Sequence, residues 1–343
     1  MLIPLYGLID VQLLHRTGVT GGSQTLMTEG LYQGSRWGLK GTEDLGGGWA
    51  ALFQLENGLA VFNGKLDQQG QLFGRQAWVG LSKTSGDFSN TLSLGRQYGI
   101  PFALLGNFDA LYFPNDPLES WPVALMGCRF DNTIEYTLRT KNLVAMLQYS
   151  VGGQPGSVSV GSTLSAGATY NIGPANVGFS IEQSKDATGN TMKFGGAGGN
   201  VTVGKLKLYG LYILSLRDPN FSPGTSGTTL PLANTSLLSN VGNPNTRRDE
   251  GFDFGAIYSF TPAFSGTVSV LYDKVSGASG GDGGLMTAYA VADYFLSKRT
   301  DVYAEIDYSR LTGAEVRDPN VPSGSFAGAR SRTGVGLGIR TKF

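Results

Sequence analysis

The chain has 343 residues and carries 26 Lys plus Arg against 26 Asp plus Glu, and its charged fraction of 15% lies well under the roughly 25% of a soluble globular domain. The even balance argues against a nucleic-acid surface or a general anionic partner, and no stretch approaches the roughly eighteen consecutive apolar residues of a membrane-spanning helix. Fifty-two glycines, fifteen tyrosines and eighteen phenylalanines favour strands.

From the N-terminus onward the dominant pattern is period-two alternation, which sends successive side chains to opposite faces of a strand. Leu5, Gly7, Ile9, Val11 and Leu13 form one apolar face. His15, the only histidine, reads as a solvated rim residue at the far end of that strand. Arg36, Gly38 and Lys40 then alternate with Trp37 and Leu39, and Glu56 shares the face of Gln54 opposite Phe53 and Leu55. Arg129, Asp131, Thr133 and Glu135 stand against Ile134 and Tyr136. Further on, Phe252, Phe254, Ala256, Tyr258 and Phe260 oppose Asp253, Gly255 and Ser259. Val268, Val270 and Tyr272 oppose Thr267, Ser269 and Asp273, and Val302, Ala304, Ile306 and Tyr308 oppose Glu305, Asp307 and Ser309. Thr333, Val335, Leu337, Ile339, Thr341 and Phe343 make the last apolar face, against Arg332, Gly334, Gly336, Gly338, Arg340 and Lys342.

Strands of a soluble sandwich alternate too, but here strands of about ten residues are joined alternately by short and long connections, the layout of an outer-membrane barrel. Short turns are expected at Glu43 to Gly47, Ser85 to Asn90, Thr140 to Asn142, Gly173 to Ala175, Val203 to Gly204, Thr261 to Ala263 and Ser297 to Arg299. Seven such turns imply eight hairpins and sixteen strands. The long connections, most rich in Gly, Ser, Asn and Pro, fall near 17–31, 58–71, 99–128, 152–161, 187–191, 217–249, 276–284 and 312–330. The expectation is an all-β chain, residues 1–343, folded as a single closed antiparallel transmembrane β-barrel whose first strand pairs with its last, since an open edge in lipid costs several kcal/mol per unpaired backbone group. No helix of consequence is expected. No basic stretch followed by an apolar segment precedes the first strand, which reads as a mature or truncated form.

Catalytic chemistry finds little to work with. Cys128 is the only cysteine, so it reads as a packing residue and offers no thiolate cluster for a metal. HExxH, paired-cysteine and phosphate-binding glycine motifs are missing, and the glycines of Leu45 to Gly48 belong to a hairpin. We therefore expect no enzyme activity, no metal and no cofactor.

Leu5-Tyr6-Gly7-Leu8-Ile9-Asp10 and the run Ser35-Arg36-Trp37-Gly38-Leu39-Lys40-Gly41-Thr42-Glu43-Asp44-Leu45-Gly46-Gly47-Gly48 resemble the general porins of beta-proteobacteria. Leu72-Phe73-Gly74-Arg75-Gln76-Ala77-Trp78-Val79-Gly80-Leu81, Ser93-Leu94-Gly95-Arg96-Gln97-Tyr98, Leu296-Ser297-Lys298-Arg299-Thr300 and the terminal Phe343 fit the same family in order. The likeness runs end to end and is most specific in the first hundred residues and at the C-terminus. It implies a homotrimer in the bacterial outer membrane, in contact with lipid and lipopolysaccharide, that passes ions and small hydrophilic solutes.

In that family the third outer loop folds into the barrel. Here Ile100 to Gly127 is unusually apolar for a loop, with Phe102, Leu104, Leu105, Phe108, Leu111, Tyr112, Phe113, Trp121 and Leu125, and it would collapse if left in water. Folded inward, it carries Asp109, Asp116 and Glu119 toward the lumen. Opposite, the resemblance places arginines at Arg36, Arg75 and Arg129. Parity independently sends Arg36 and Arg129 to the lumen. Arg75 has the parity of Val79 and Leu81, so a lumenal Arg75 requires a bulge between 75 and 79. Arg96 conflicts in the same way with Leu92 and Leu94 and is read as a loop-base anchor for the third loop. Glu56 is a wall carboxylate that tempers the arginines. A mild anion preference follows, because charged rings act at short range in confined water. The main rival is a substrate-specific channel in which the apolar third loop binds one defined solute; another is a barrel plugged by the long connection Arg217 to Asp249.

Overall fold

In a computed structural model, residues 3–343 are described except 20, 225–229, 231, 319, 321–325 and 327. Among the described residues sixteen strands form one closed antiparallel barrel. They are β1 (Leu5–Val19), β2 (Gly22–Glu29, resuming at Arg36–Gly46), β3 (Trp49–Ala60), β4 (Gln76–Ser85), β5 (Phe88–Tyr98), β6 (Arg129–Arg139), β7 (Leu143–Ser150) and β8 (Thr163–Ile172). The second half comprises β9 (Ala175–Lys185), β10 (Thr191–Val203), β11 (Leu206–Arg217), β12 (Arg247–Thr261), β13 (Phe264–Ala278), β14 (Gly281–Phe295), β15 (Thr300–Gly313) and β16 (Ser331–Lys342). A two-residue flap, Lys65–Leu66, folds back on β3. Each strand pairs with the next, and β1 pairs with β16 from Leu8 opposite Lys342 to Arg16 opposite Gly334. Gly7 and Phe343 exchange backbone hydrogen bonds of 3.1 and 3.0 Å and seal the ring.

The alternation sorts as expected. Leu13, Val79, Ile181, Phe254, Val270 and Leu337 are exposed on the outside, while Asp253, Ser269, Asp273, Glu305, Asp307 and Ser309 are buried on the inside. That inversion of the usual soluble pattern suits a wall with lipid on one side and water on the other. Exposed aromatics cluster at the short-turn end, with Trp49, Phe88, Tyr258, Phe260, Phe264 and Tyr294 forming part of a girdle at the membrane interface. The Phe260 and Phe264 rings stack at 5.2 Å.

Three expected loops are shorter than the sequence suggested. β1 runs to Val19 and β2 begins at Gly22, so the stretch 17–31 is mostly a tight hairpin, with Gly21 and Gly22 at φ of 90° and 116°. Likewise β13 and β14 leave only 279–280 between them, and β15 extends into the expected loop 312–330. Alternation weakens near these ends because polar residues occupy both faces where a strand leaves the lipid. Within the expected loops 17–31, 217–249 and 312–330 the undescribed residues named above lie outside the described set, as do residues 1 and 2.

β2 is interrupted at 30–35. Val11 faces Glu29 but Leu8 faces Arg36, so extra residues are inserted against an unbroken β1. The insertion turns inward around the Asp10 carboxylate, which accepts from the Gln33 amide at 3.0 Å and from the Tyr303 hydroxyl at 2.8 Å. Tyr303 in turn accepts from the Leu31 amide at 2.8 Å, and Leu31 is fully buried.

The apolar core sits inside the barrel. Two short helices, α1 (Ile100–Leu105) and α2 (Pro122–Met126), lie in the long connection after β5. Leu105, Phe108, Leu118, Trp121, Leu125 and Met126 of that connection form one cluster with Leu31, Phe130, Phe194, Leu211, Ile213 and Leu271. Glycines on the wall make room: a Cβ on Gly196 would stand 2.5 Å from Leu105, and one on Gly198 2.8 Å from Phe108. Residues 99–128 therefore lie against the inward faces of β8 to β12, and only a wall short of side chains lets them come so close.

Candidate pore constriction

A cavity of about 410 Å³ opens between residues 99–128 and the wall formed by β2, β5, β6 and the residue that precedes β4. Arg36, Arg75 and Arg129 all line it, together with Tyr98, Asp67, Tyr112 and Ser236. Each arginine arrives by a different local route. Arg36 opens the second segment of β2, its Nε donating to the Gly34 carbonyl at 2.9 Å. Arg129 opens β6, donates to the Tyr98 hydroxyl at 3.2 Å and lies 4.6 Å over the Tyr98 ring. Arg75 donates to the same hydroxyl at 2.8 Å and to Glu56 at 2.9 Å. Tyr98 thus gathers two guanidinium groups on one oxygen, and its ring stacks on Phe102 at 5.0 Å. Glu56 also accepts from the Tyr6 hydroxyl at 2.8 Å.

The bulge expected between 75 and 79 is not there. The ladder from Glu56 opposite Gln76 to Trp49 opposite Lys83 is regular. Arg75 instead precedes the first residue of β4, so strand parity does not bind it. The irregularity falls at Arg96, where the register between β5 and β6 shifts from Gly95 to Gln97 and Gly95 takes φ of 137°. This bulge turns Arg96 inward, and a glycine permits it at little steric cost. Arg96 donates to the Gly74 carbonyl at 2.7 Å, to Asp131 at 2.7 Å and to the Asn234 carbonyl at 3.2 Å. Its hydrogen bonds thus reach the connection after β11 and not residues 99–128, the loop it was expected to anchor.

Asp109, Asp116 and Glu119 also depart from expectation, for none of them lines the cavity that holds the arginines. All three are buried on the opposite side of the connection, against β12, β15 and β16. Asp109 accepts from the Leu111 and Phe113 amides at 2.8 Å each and lies against Asp253. Asp116 pairs with Arg332 at 3.2 Å. Burial, followed by the charges of Glu305, Asp116, Asp307 and Asp109, pushes the Glu119 carboxyl well above the usual carboxylate range. Sequence placed the loop inside but could not say which of its faces each carboxylate would take.

A second charged cluster stands at the long-connection end. Arg247 bonds Asp249 at 3.1 Å, Glu315 at 3.1 Å and also Asp318, while Arg217 bonds Asp249 at 2.5 Å. These four side chains around Arg247 are almost completely buried and join β11 and β12 to the connection after β15. His15 is exposed and shares a 2.8 Å hydrogen bond with Thr25, as a rim residue does. Cys128 is buried.

The sequence reading overlooked Tyr98, though it lies in a quoted stretch, because an aromatic at a strand end looks like one more girdle residue. It also overlooked the Leu31 insertion, whose only local signals are Gly30, Gly34 and Ser35. A Cβ on Gly30 would collide with the Asp10 carboxylate at 1.6 Å, so that glycine is needed for the inward turn.

Residues 3–314 match the sequence profile of the Gram-negative porin family. An outer membrane porin protein of Bordetella pertussis is 29% identical over 345 aligned positions, covering 92% of this chain and 84% of the relative. Among solved structures, the anion-selective porin from Comamonas acidovorans superposes with a TM-score of 0.79 at 21% identity, over 100% of this chain and 99% of that one. OmpT of Vibrio cholerae in its trimer form gives 0.69 at 15%, over 100% and 99%. The closed sixteen-stranded wall, lipid-facing outside and polar within, and the profile match across nearly the whole chain place it together: it belongs to the Gram-negative porins, the passive diffusion channels of the outer membrane.

Proposed function

We propose that residues 99–128 form the lumenal constriction of a single-domain porin, and that Arg36, Arg75 and Arg129 give it a mild preference for small anions. The observation that carries this is the grouping of three guanidinium groups around one cavity. Among the described residues neither Arg36 nor Arg129 takes part in an ion pair. Cations not neutralised by a contacting carboxylate project their field into the water path of a narrow passage and raise the local anion concentration. Glu56 on Arg75 and Asp67 at the cavity wall oppose that field, which keeps the preference mild. Asp109, Asp116 and Glu119 brace the loop from behind, and Arg96 ties the neighbouring connection to the wall. The protein works by diffusion and carries no catalytic centre. It assembles as a homotrimer, like the trimer form of OmpT of Vibrio cholerae, with lipid and lipopolysaccharide around it and small hydrophilic solutes passing through.

Planar-bilayer recording of the refolded protein tests this. Three equal conductance steps and an anion-leaning reversal potential in a potassium chloride gradient are expected, with the lean lost when Arg36→Gln and Arg129→Gln are combined. Cation preference, or indifference to those substitutions, would discard the selectivity mechanism. Saturable block by a single solute would replace general diffusion with a substrate-specific channel.

A further inference from the structure

We propose that residues 232–240, in the connection between β11 and β12, form a second wall of the constriction, and that Ser236 is a solute-contacting, selectivity-setting residue. This rests on the reading of the arginine cavity as the narrowest passage.

The segment does not lie over the mouth as an outer cover. It reaches in and pairs with the end of the third connection: the Cys128 amide donates to the Thr235 carbonyl at 2.6 Å, and the Leu238 amide donates to the Ala124 carbonyl at 2.9 Å. Leu232 and Leu237 join the same apolar cluster as Trp121, Leu125, Met126 and Phe130. Between these anchors Arg96 holds the Asn234 carbonyl. The far end is pinned as well. Asn240 donates to the Asp218 and Asn245 carbonyls at 3.0 Å each, and the Ser239 hydroxyl donates to Asn320 at 2.6 Å.

Fixed at both ends, the segment bends at Ser236, which takes φ of 70°. Leu232, Thr235 and Leu237 turn into the protein, whereas Ser236 is exposed and lines the cavity shared by Arg36, Arg75 and Arg129. A left-handed serine costs backbone energy, and that cost is tolerated where surrounding contacts over-determine the bend. The consequence is a passage bounded by two connections, with Ser236 presenting a small neutral hydroxyl beside three cations.

The test is Ser236→Cys in a Cys128→Ser background, recorded in planar bilayers before and after a cationic or an anionic methanethiosulfonate reagent, with the extent of labelling read by mass. Either adduct should reduce each unitary conductance step about twofold, because it places added bulk in the cavity that Ser236 shares with the three arginines. The two adducts should also move the reversal potential in opposite directions. Complete labelling without either change would overturn the proposal, as would a thiol that resists labelling. If the cysteine variant fails to refold, Ser236→Asp and Ser236→Asn serve instead, since both residues tolerate positive φ; only the aspartate should shift the reversal potential toward cations, and equal behaviour would again overturn it. Arg36→Gln with Arg129→Gln, measured alongside, separates the failures: a shift there without one at Ser236 leaves the constriction standing and removes only its second wall.

Discussion

Two groups of arginines inside the barrel keep different company. At the proposed constriction, Arg75 and Arg129 meet on the Tyr98 hydroxyl, Arg36 donates to a backbone carbonyl, and among the described residues Glu56 is the one carboxylate in contact, on Arg75. At the long-connection end, Arg217 and Arg247 are met by Asp249, Glu315 and Asp318. The first group leaves positive charge unspent toward water. The second is neutralised by contact and fastens separate parts of the chain. Burial of an arginine therefore says little about its role; the number of carboxylates it touches decides between field and fastening.

The largest effect expected from this contrast is at Arg247. Replacing it with methionine strands the buried carboxylates of Glu315 and Asp318 and leaves Asp249 with Arg217 alone, and breaking a buried pair from one side costs about 3–5 kcal/mol. A lower urea midpoint and faster proteolysis in the connections after β11 and β15, with the sign of ion selectivity retained, would sharpen the contrast. A reversal of selectivity would break it, because the second cluster would then be shaping the field.

A smaller effect belongs to Glu119, whose carboxyl is pushed well above the usual carboxylate range by burial and by the acids around it. A carboxyl raised in the folded protein contributes stability that is complete below the ordinary carboxylate pKa and is lost as pH rises through the raised value. Thermal midpoints should thus decline as pH rises above the ordinary carboxylate range, and Glu119→Gln should flatten part of that decline. Identical pH profiles for the two proteins would show that Glu119 does not carry that dependence.

The smallest change is at Glu56. Glu56→Gln removes what is, among the described residues, the only negative charge bonded to the arginine group while keeping an acceptor oxygen there, and the reversal potential in a salt gradient should move slightly further toward anions. A move toward cations would mean that the carboxylate acts by holding Arg75 in place and that its charge is secondary.

Most of the barrel was legible because its constraint is local and repeated: lipid on one side and water on the other impose alternation residue by residue, so Asp253 against Phe254 or Glu305 against Ile306 can be read directly. Arg36 and Arg129 were legible for the same reason. For Arg75 the expected bulge proved unnecessary because parity does not bind a residue outside any strand, and for Arg96 the parity conflict is resolved by a single glycine, Gly95, which absorbs the bulge that turns it inward. What alternation cannot express is contact between connections. The facing of Asp116 toward Arg332, and of Thr235 toward Cys128, depends on residues about a hundred or more positions apart, and no local period records them.

The seal between Gly7 and Phe343 also bears on how the molecule forms. Its hydrogen bonds join opposite ends of the chain, so the loop-closure entropy of nearly the whole polypeptide must be met before that rung can form. Contacts of such sequence separation slow folding and leave the edges of β1 and β16 unpaired until late, when they are open to pairing with other chains. The Phe343 ring lies where a Cβ on Gly7 would be only 2.5 Å away. A side chain at position 7 would therefore obstruct the last step of assembly, and aggregation on refolding should reveal it sooner than any loss of conductance in barrels that do close.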